Sequence, residues 1–201
     1  MATESRYISG TCAAKRCWYA VATRSRHERS VERALQRLGT VETYVPLRRV
    51  WSRRVDRRFR IDVPALPGYV FVRAYLDPET RAAIKRTSGV VGFVGTEGLP
   101  ARIPAEQIES LRIMLRSSAD VEVVTQLEVG QRVRVKAGPL AGATGILIRR
   151  NPSQFRLVVR IEHVGMALSA DVHEADVEPL EADRSNERSR PVGRSLHCGT
   201  T

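Results

Sequence analysis

Arg48, Arg49, Arg53, Arg54, Arg57, Arg58 and Arg60 crowd one short stretch that holds a single acid, Asp56, and two aromatic residues, Trp51 and Phe59. A guanidinium stays charged at any ordinary pH and grips phosphate or carboxylate through two N–H groups at once. An indole beside it offers a stacking face to an unpaired base. The stretch is therefore built either to meet a polyanion or simply to be a solvated charged segment. A second basic set, Arg24, Arg26 and Arg29, shares its segment with Glu28 and Glu32. The whole chain carries a formal net charge of +11 and a pI near 10.5. Such a balance draws the protein to nucleic acid or to a machine that holds it, because each cation brought to a phosphate releases condensed counterions. High-GC coding also inflates arginine, so the charge alone decides nothing.

Catalytic chemistry finds no footing. His27, His163, His173 and His197 sit in different segments without ligand spacing, and no CxxC or HExxH sequence exists to hold a metal. Ser195, His197 and Cys198 stand together only in a polar end segment, which has no rigid scaffold to preorganise a nucleophile. The glycine turn around Gly138 lacks the Gly-Lys-Ser or Gly-Lys-Thr ending of a phosphate-binding loop. The expectation is no catalytic residue, no metal and no cofactor. Cys12, Cys17 and Cys198 are odd in number and scattered, so no disulfide framework is expected. No stretch approaches the roughly 20 apolar residues of a membrane span, and the first residues lack the apolar core of a secretion signal. A cytoplasmic protein without membrane contact is expected.

The elements that would position the arginines can be read from periodicity. Residues 1–15 and 181–201 are polar and aperiodic and read as disordered tails. Cys17 to Ala22 (CWYAVA) is an apolar run suited to a buried central strand. Ser25 is placed to cap a helix in a reciprocal box with Glu28, with Val31, Ala34, Leu35 and Leu38 at helical spacing and Gly39 closing it. Val41 to Val50 and Leu66 to Ala74 are rich in β-branched and aromatic residues and read as paired strands. Asp77 followed by Pro78 starts a second helix that ends near Gly89, Val90 to Val94 is a strand, and a third helix from Pro104 carries an apolar stripe of Ile108, Leu111 and Leu115. The order β, α, β, β, α, β, α describes an antiparallel sheet covered by helices, of the split βαβ kind. Residues 117–126 read as a linker, although the DVEVV run would also suit a strand. From 127 to 180 the alternation of Val133 with Val135 and of Phe155, Leu157, Val159 and Ile161, among clustered glycines, predicts a small barrel of about five strands.

Val133-x-Val135-x-x-Gly138-Pro139-x-x-Gly142-x-x-Gly145 resembles the KOW motif of ribosomal proteins and NusG-type factors. Gly138-Pro139 suits a turn, while Gly142 and Gly145 allow positive φ or close backbone approach. In the first half, Trp18-Tyr19, His27-Glu28, Tyr44-Val45-Pro46, Pro67-Gly68-Tyr69-Val70-Phe71-Val72 and Gly89-Val90-x-Gly92-Phe93-Val94-Gly95 occur in the order seen in NusG N-terminal (NGN) domains. Over roughly residues 17–180 the chain thus resembles the NusG family of transcription elongation and antitermination factors.

That resemblance implies an α+β protein: a ferredoxin-like NGN domain (16–116) joined by a flexible linker (117–126) to an SH3-like KOW β-barrel (127–180). It implies a monomer whose NGN domain binds the clamp helices of RNA polymerase through an apolar pocket and suppresses pausing. The pocket maps to Tyr19, Ala22, Leu66, Pro67 and Tyr69, and a second contact to the start of the second helix, Thr80 to Ala83, including Arg81. Leu66 stands where relatives often have phenylalanine. The residues themselves leave the alternative of sheet core open, most strongly for Trp18 and Phe71; a Pro-Gly pair at a strand start tends to hold Leu66 and Tyr69 near the surface. In the family the Arg48–Arg60 stretch is a projecting hairpin, so Arg53, Arg54, Arg57 and Arg58 are placed against upstream DNA or nascent RNA. Arg24, Arg26 and Arg29 correspond to where specialised paralogues touch non-template DNA. Leu140, Ala143 and the His163-Val164 region replace aromatics with which general NusG proteins contact Rho or the ribosome. That departure resembles RfaH or the antiterminators of polysaccharide gene clusters. The competing reading is a ribosome-associated or RNA-binding KOW protein, against which the NGN-like half argues.

Overall fold

The computed structural model describes residues 15–52, 59–96, 99–117, 119–124, 130–151, 154–161 and 164–180. The expected tails, apart from Lys15, and Arg53, Arg54, Arg57 and Arg58 lie outside the described residues. The chain is α+β, with three α-helices among the described residues and antiparallel pairing between their strands.

The apolar run becomes β1 (Cys17–Thr23), which lies between β5 (Tyr69–Ala74) and β6 (Val90–Phe93) and also pairs with β9 (Arg102–Ile103). β2 (Glu42–Tyr44) completes this first sheet on the far side of β5, and β7 (Gly95–Thr96) pairs with β8 (Leu99–Pro100) as a short separate hairpin. A strand's side chains alternate between faces, so the sheet has two cores. Tyr19, Val21, Val70 and Val72 pack with Val31 and Leu35 of α1 (Glu28–Gln36) and Ile84 of α2 (Pro78–Arg86). Trp18, Ala20 and Phe71 pack with Ile108, Leu111 and Met114 of α3 (Ala105–Arg116). Asp77 caps α2 as its sequence requires, accepting the Thr80 N–H at 2.8 Å. The Asp77 carboxyl is held below its ordinary pKa by the hydrogen bonds from the Thr80 backbone and hydroxyl.

Two expectations are corrected, and of the two readings of 117–126 the strand is the one found. Ser25 caps nothing. Arg26 takes a φ of +63° and His27 N–H bonds back to Arg24 O, so the chain turns once more before the helix and the cap position falls to His27, whose side chain makes no capping bond. Val41 to Val50 is not one strand. Pro46 has no N–H to give to a ladder, and beyond it β3 (Leu47–Trp51) leaves the sheet and pairs with β4 (Arg60–Pro64) as a separate two-stranded ribbon. Within 117–126, β10 (Val121–Val124) forms along β14 (Ala167–Val172). Arg156 holds it there, bonding Glu122 of β10 together with Asp171 of β14. Burial alone would lower the Arg156 pKa; its two carboxylate partners more than offset this and keep it raised.

The second sheet is six-stranded, ordered β10-β14-β13-β12-β11-β15, with β11 (Gln131–Val135), β12 (Thr144–Asn151), β13 (Gln154–Arg160) and β15 (Val177–Pro179). It does not stand apart from the first. One continuous core runs from Trp18 and Phe71 through α3 to Val135, Leu140, Leu157 and Leu168. Ser110 of α3 is buried, its hydroxyl 3.1 Å from that of Thr144 and accepting the Thr144 N–H at 2.9 Å. α3 is therefore an inner layer between two sheets.

Arg112 fastens α3 to the first sheet. Its guanidinium lies 5.3 Å from the Trp18 ring centroid and 4.9 Å from that of Tyr44, and bonds Glu42 at 3.2 Å and Glu109 at 3.5 Å. Burial pushes the Tyr44 phenol up to about 12 against the opposing pull of Arg112. Partly desolvated cation–π contacts are each worth on the order of 0.5–2 kcal/mol. Arg112→Ala is expected to lower the unfolding free energy by about 1–3 kcal/mol, and Arg112→Lys, which keeps the charge but loses the planar stack, to recover only part of it. Urea titration checks both; a lysine variant equal to the parent would leave charge alone as the cause.

Candidate functional site

The Pro67–Gly68 turn is held by a bond that no sequence pattern announced. Glu28, at the first turn of α1, is buried, and its carboxylate accepts the Gly68 N–H at 2.7 Å. Gly68 takes a φ of +84°, which a side chain would strain, and Thr23 N–H bonds to Gly68 O at 2.8 Å. The turn is thus tied to α1 and to the end of β1. It leaves Pro67 exposed and Tyr69 half-buried, with Tyr69 directly opposite Ala22 in the β1–β5 register.

The structure brings Ala22, Pro67 and Tyr69 together and separates them from two residues of the same predicted set. Tyr19 lies an odd number of residues from Ala22 in β1, so it faces the α1 and α2 side, where it meets Phe93 edge-on at 6.3 Å. Leu66 is fully buried in the other core, a correction to the expectation that the Pro-Gly pair holds it near the surface. The chain enters the turn from β4, so Leu66 points inward before the turn begins. Trp18 and Phe71 are core, as one of the two readings had it. Thr80 and Arg81 sit in the first turn of α2, Thr80 donating its N–H and its hydroxyl to Asp77.

The two basic sets converge. Asp62 of β4 lies 3.4 Å from Arg49 of β3 and 3.9 Å from Arg29 of α1, so the ribbon's base and the α1 turn share one surface. Arg24 and Arg26 are exposed on the turn, with Arg24 N–H fixed to Gly89 O. On the ribbon Arg60 stacks over Trp51 at 5.0 Å, and the indole stays 60% exposed. In the second sheet Gly138 (φ +80°) and Gly142 (φ +89°) take the positive dihedrals of the turn, whereas Gly145 is required by close approach: a Cβ there would lie 2.6 Å from Val158 O. Gly142 faces Ile113 of α3, so this turn is packed on the helix. Among the described residues no cluster of His, Cys, Asp and Glu could hold a metal ion, and no helix is long and apolar enough to cross a membrane.

Sequence reasoning missed the Glu28–Gly68 bond, Arg112 and the Ser110–Thr144 pair. Ile113 and Met114 extend the apolar side of α3 beyond the stripe read from Ile108, Leu111 and Leu115. That width was the available signal for a helix buried on two sides.

The chain is 28% identical over 194 residues to the transcription termination/antitermination protein NusG of Staphylococcus aureus (strain N315), covering 86% of this chain and all of that protein; the protein of strain COL matches equally. Among solved structures, one described as domain interaction in Thermotoga maritima NusG is 24% identical, covers 85% of this chain and 100% of that one, and has a TM-score of 0.49. Residues 16–112, which hold the first sheet and nearly all of its three helices, match the family described as transcription termination factor nusG, so this half of the chain is similar to that family.

Proposed function

We propose that the chain binds RNA polymerase at the clamp helices and suppresses pausing or termination. The first unit, 16–116, acts as the NGN domain, and the second, 127–180, as a KOW barrel that meets a further partner, Rho or the ribosome. The observation that carries this reading is the Glu28-tied turn, which sets Pro67 and Tyr69 beside Ala22 in fixed register. A half-exposed aromatic on a rigid strand is the kind of anchor that dominates protein interfaces. Leu66 and Tyr19 are buried in the two opposite cores and lie outside that patch, and Thr80 and Arg81 supply the second polymerase contact. Arg24, Arg26 and Arg29 follow non-template DNA, and Arg53, Arg54, Arg57 and Arg58 upstream DNA. Leu140 and Ala143, where general NusG proteins carry aromatics, are buried, which favours a specialised paralogue with altered Rho and ribosome coupling. The protein works as a cytoplasmic monomer.

Gel filtration of the full-length chain with core RNA polymerase tests the reading. Co-elution at moderate salt, with shortened pauses in a transcription assay, is expected. Recovery of rRNA and ribosomal proteins without polymerase would overturn it in favour of a ribosomal role.

A further inference from the structure

A groove of about 950 Å³ runs between the β3–β4 ribbon, the last turn of α3 and the start of β10. Its polar walls carry Arg48, Arg49, Arg60 and Arg116, against the acids Asp62 and Asp120. Asp62 is already engaged by Arg29 and Arg49. The Arg48 Nε is sealed from solvent and meets no acceptor. An unmade hydrogen bond at a buried guanidinium nitrogen is costly, and a phosphate oxygen entering the groove would supply an acceptor once the Arg48 side chain turns toward it. At the ribbon's end of the same groove stands the exposed Trp51 ring.

We infer that this groove binds a short length of single-stranded nucleic acid, with Arg48 and Arg116 on the phosphates and Trp51 stacked on a base. Single-stranded rather than duplex is argued from two features. The volume is of the size that holds a small ligand, within the usual range of about 300–1,000 Å³, enough for a few nucleotides but not for a double helix. An indole used as a stacking platform needs a base with a free face, which a paired stack does not offer. The inference rests on the basic-surface part of the reading above, not on the polymerase contact, and uses none of Arg53, Arg54, Arg57 and Arg58.

The groove also has a consequence for the fold. One wall, β10, belongs to the second sheet, while the ribbon and α3 belong with the first half of the chain. It exists only while the two are packed, so a strand bound there favours the packed arrangement by its affinity for it.

The test uses the full-length chain with labelled oligouridine, oligothymidine and a duplex of matching length, read by anisotropy and by quenching of Trp51 emission. Both single strands should bind more tightly than the duplex, and the RNA and DNA arms show which sugar the groove accepts. Trp51→Ala should weaken single-strand binding by roughly 5- to 150-fold, with Trp51→Phe recovering most of it. Arg48→Gln with Arg116→Gln should flatten the log–log salt dependence by about 1.4, at about 0.7 for each phosphate that is no longer neutralised. Arg116 is exposed, so the Arg116→Gln single variant decides the matter, by a change of about 0.7, if Arg48→Gln lowers the melting temperature. Unchanged affinity and slope, or duplex bound as well as single strand, would overturn the groove. Co-elution with polymerase, measured on the same variants, should persist; its loss in the parent would overturn the clamp reading while leaving the oligonucleotide result standing.

Discussion

Leu66→Asp is expected to unfold the first half of the chain, whereas Tyr69→Asp, three residues on, is expected to leave it folded and weaken polymerase binding by roughly 30-fold or more. Leu66 is fully buried in the core it shares with Trp18, Phe71 and Leu111. An unpaired carboxylate in that apolar core either stays charged at a cost of several kcal/mol or is forced to take a proton. Domains are stable by only about 5–15 kcal/mol in total, so the melt should fall by tens of degrees or vanish. Tyr69 is half-buried on the edge of the same core. Its replacement removes an aromatic anchor, and truncation of such anchors in interfaces costs about 2 kcal/mol or more. Circular dichroism melts and co-elution with core polymerase separate the two. A folded Leu66→Asp variant would show that the site relaxes or admits water, and a Tyr69→Asp variant that melts and binds like the parent would remove this patch from the polymerase contact.

The contrast between these two neighbours shows where reading a sequence stops. The apolar run of β1, the Asp77-Pro78 start of α2 and the glycines of the second-sheet turn each follow from local chemistry, and the structure has them. Ser25 and Glu28 match a capping pattern just as well, yet the pattern fails because Arg26 adopts a left-handed conformation and Glu28 is claimed by Gly68, 40 residues away. A long-range partner for a local acid leaves no trace in spacing. The same holds for β10: its run is as weak as a linker's, and it becomes a strand because β14 offers an unpaired edge and Arg156 offers Glu122 a partner. The docking patch was legible in part. Period-2 alternation in β1 already separates Tyr19 from Ala22, but which face the Pro67–Gly68 turn adjoins depends on pairing that only the assembled sheet defines. The ribbon's arginines were legible as cations and not as walls of a groove, since β10 and the end of α3 reach them through tertiary packing alone.

Substituting the glycines of the second-sheet turn should separate two causes that look alike in sequence. Gly142→Ala places a Cβ in near-open space, 3.4 Å from Ile113 Cδ1, but at a φ of +89°. Its cost is conformational, on the order of 1–2 kcal/mol for a residue forced into the left-handed region. Gly145→Ala meets no dihedral strain. Its Cβ would instead lie 2.6 Å from Val158 O and 3.0 Å from Leu157 Cδ1, so β12 must move away from β13 along a ladder that joins Ile146 to Val158. Overpacking of a side-chain core costs about 1–3 kcal/mol, and a clash with backbone relaxes less readily, so the upper end is expected. Asparagine tells the mechanisms apart, because it tolerates the left-handed region. Gly142→Asn should therefore recover much of the loss, while Gly145→Asn should be worse than Gly145→Ala. Urea titration gives the ranking, and hydrogen exchange locates it: amides of β13 and of β12 from Ile146 onward should lose protection in the Gly145 variants and keep it in the Gly142 variants. Because the turn at Gly142 lies against α3, its alanine variant should also loosen the packing of the second sheet on the helix, read as faster exchange at the Thr144 amide that Ser110 holds. Equal costs at the two glycines, or rescue by asparagine at both, would mean that close approach to Val158 is not what Gly145 is there to permit.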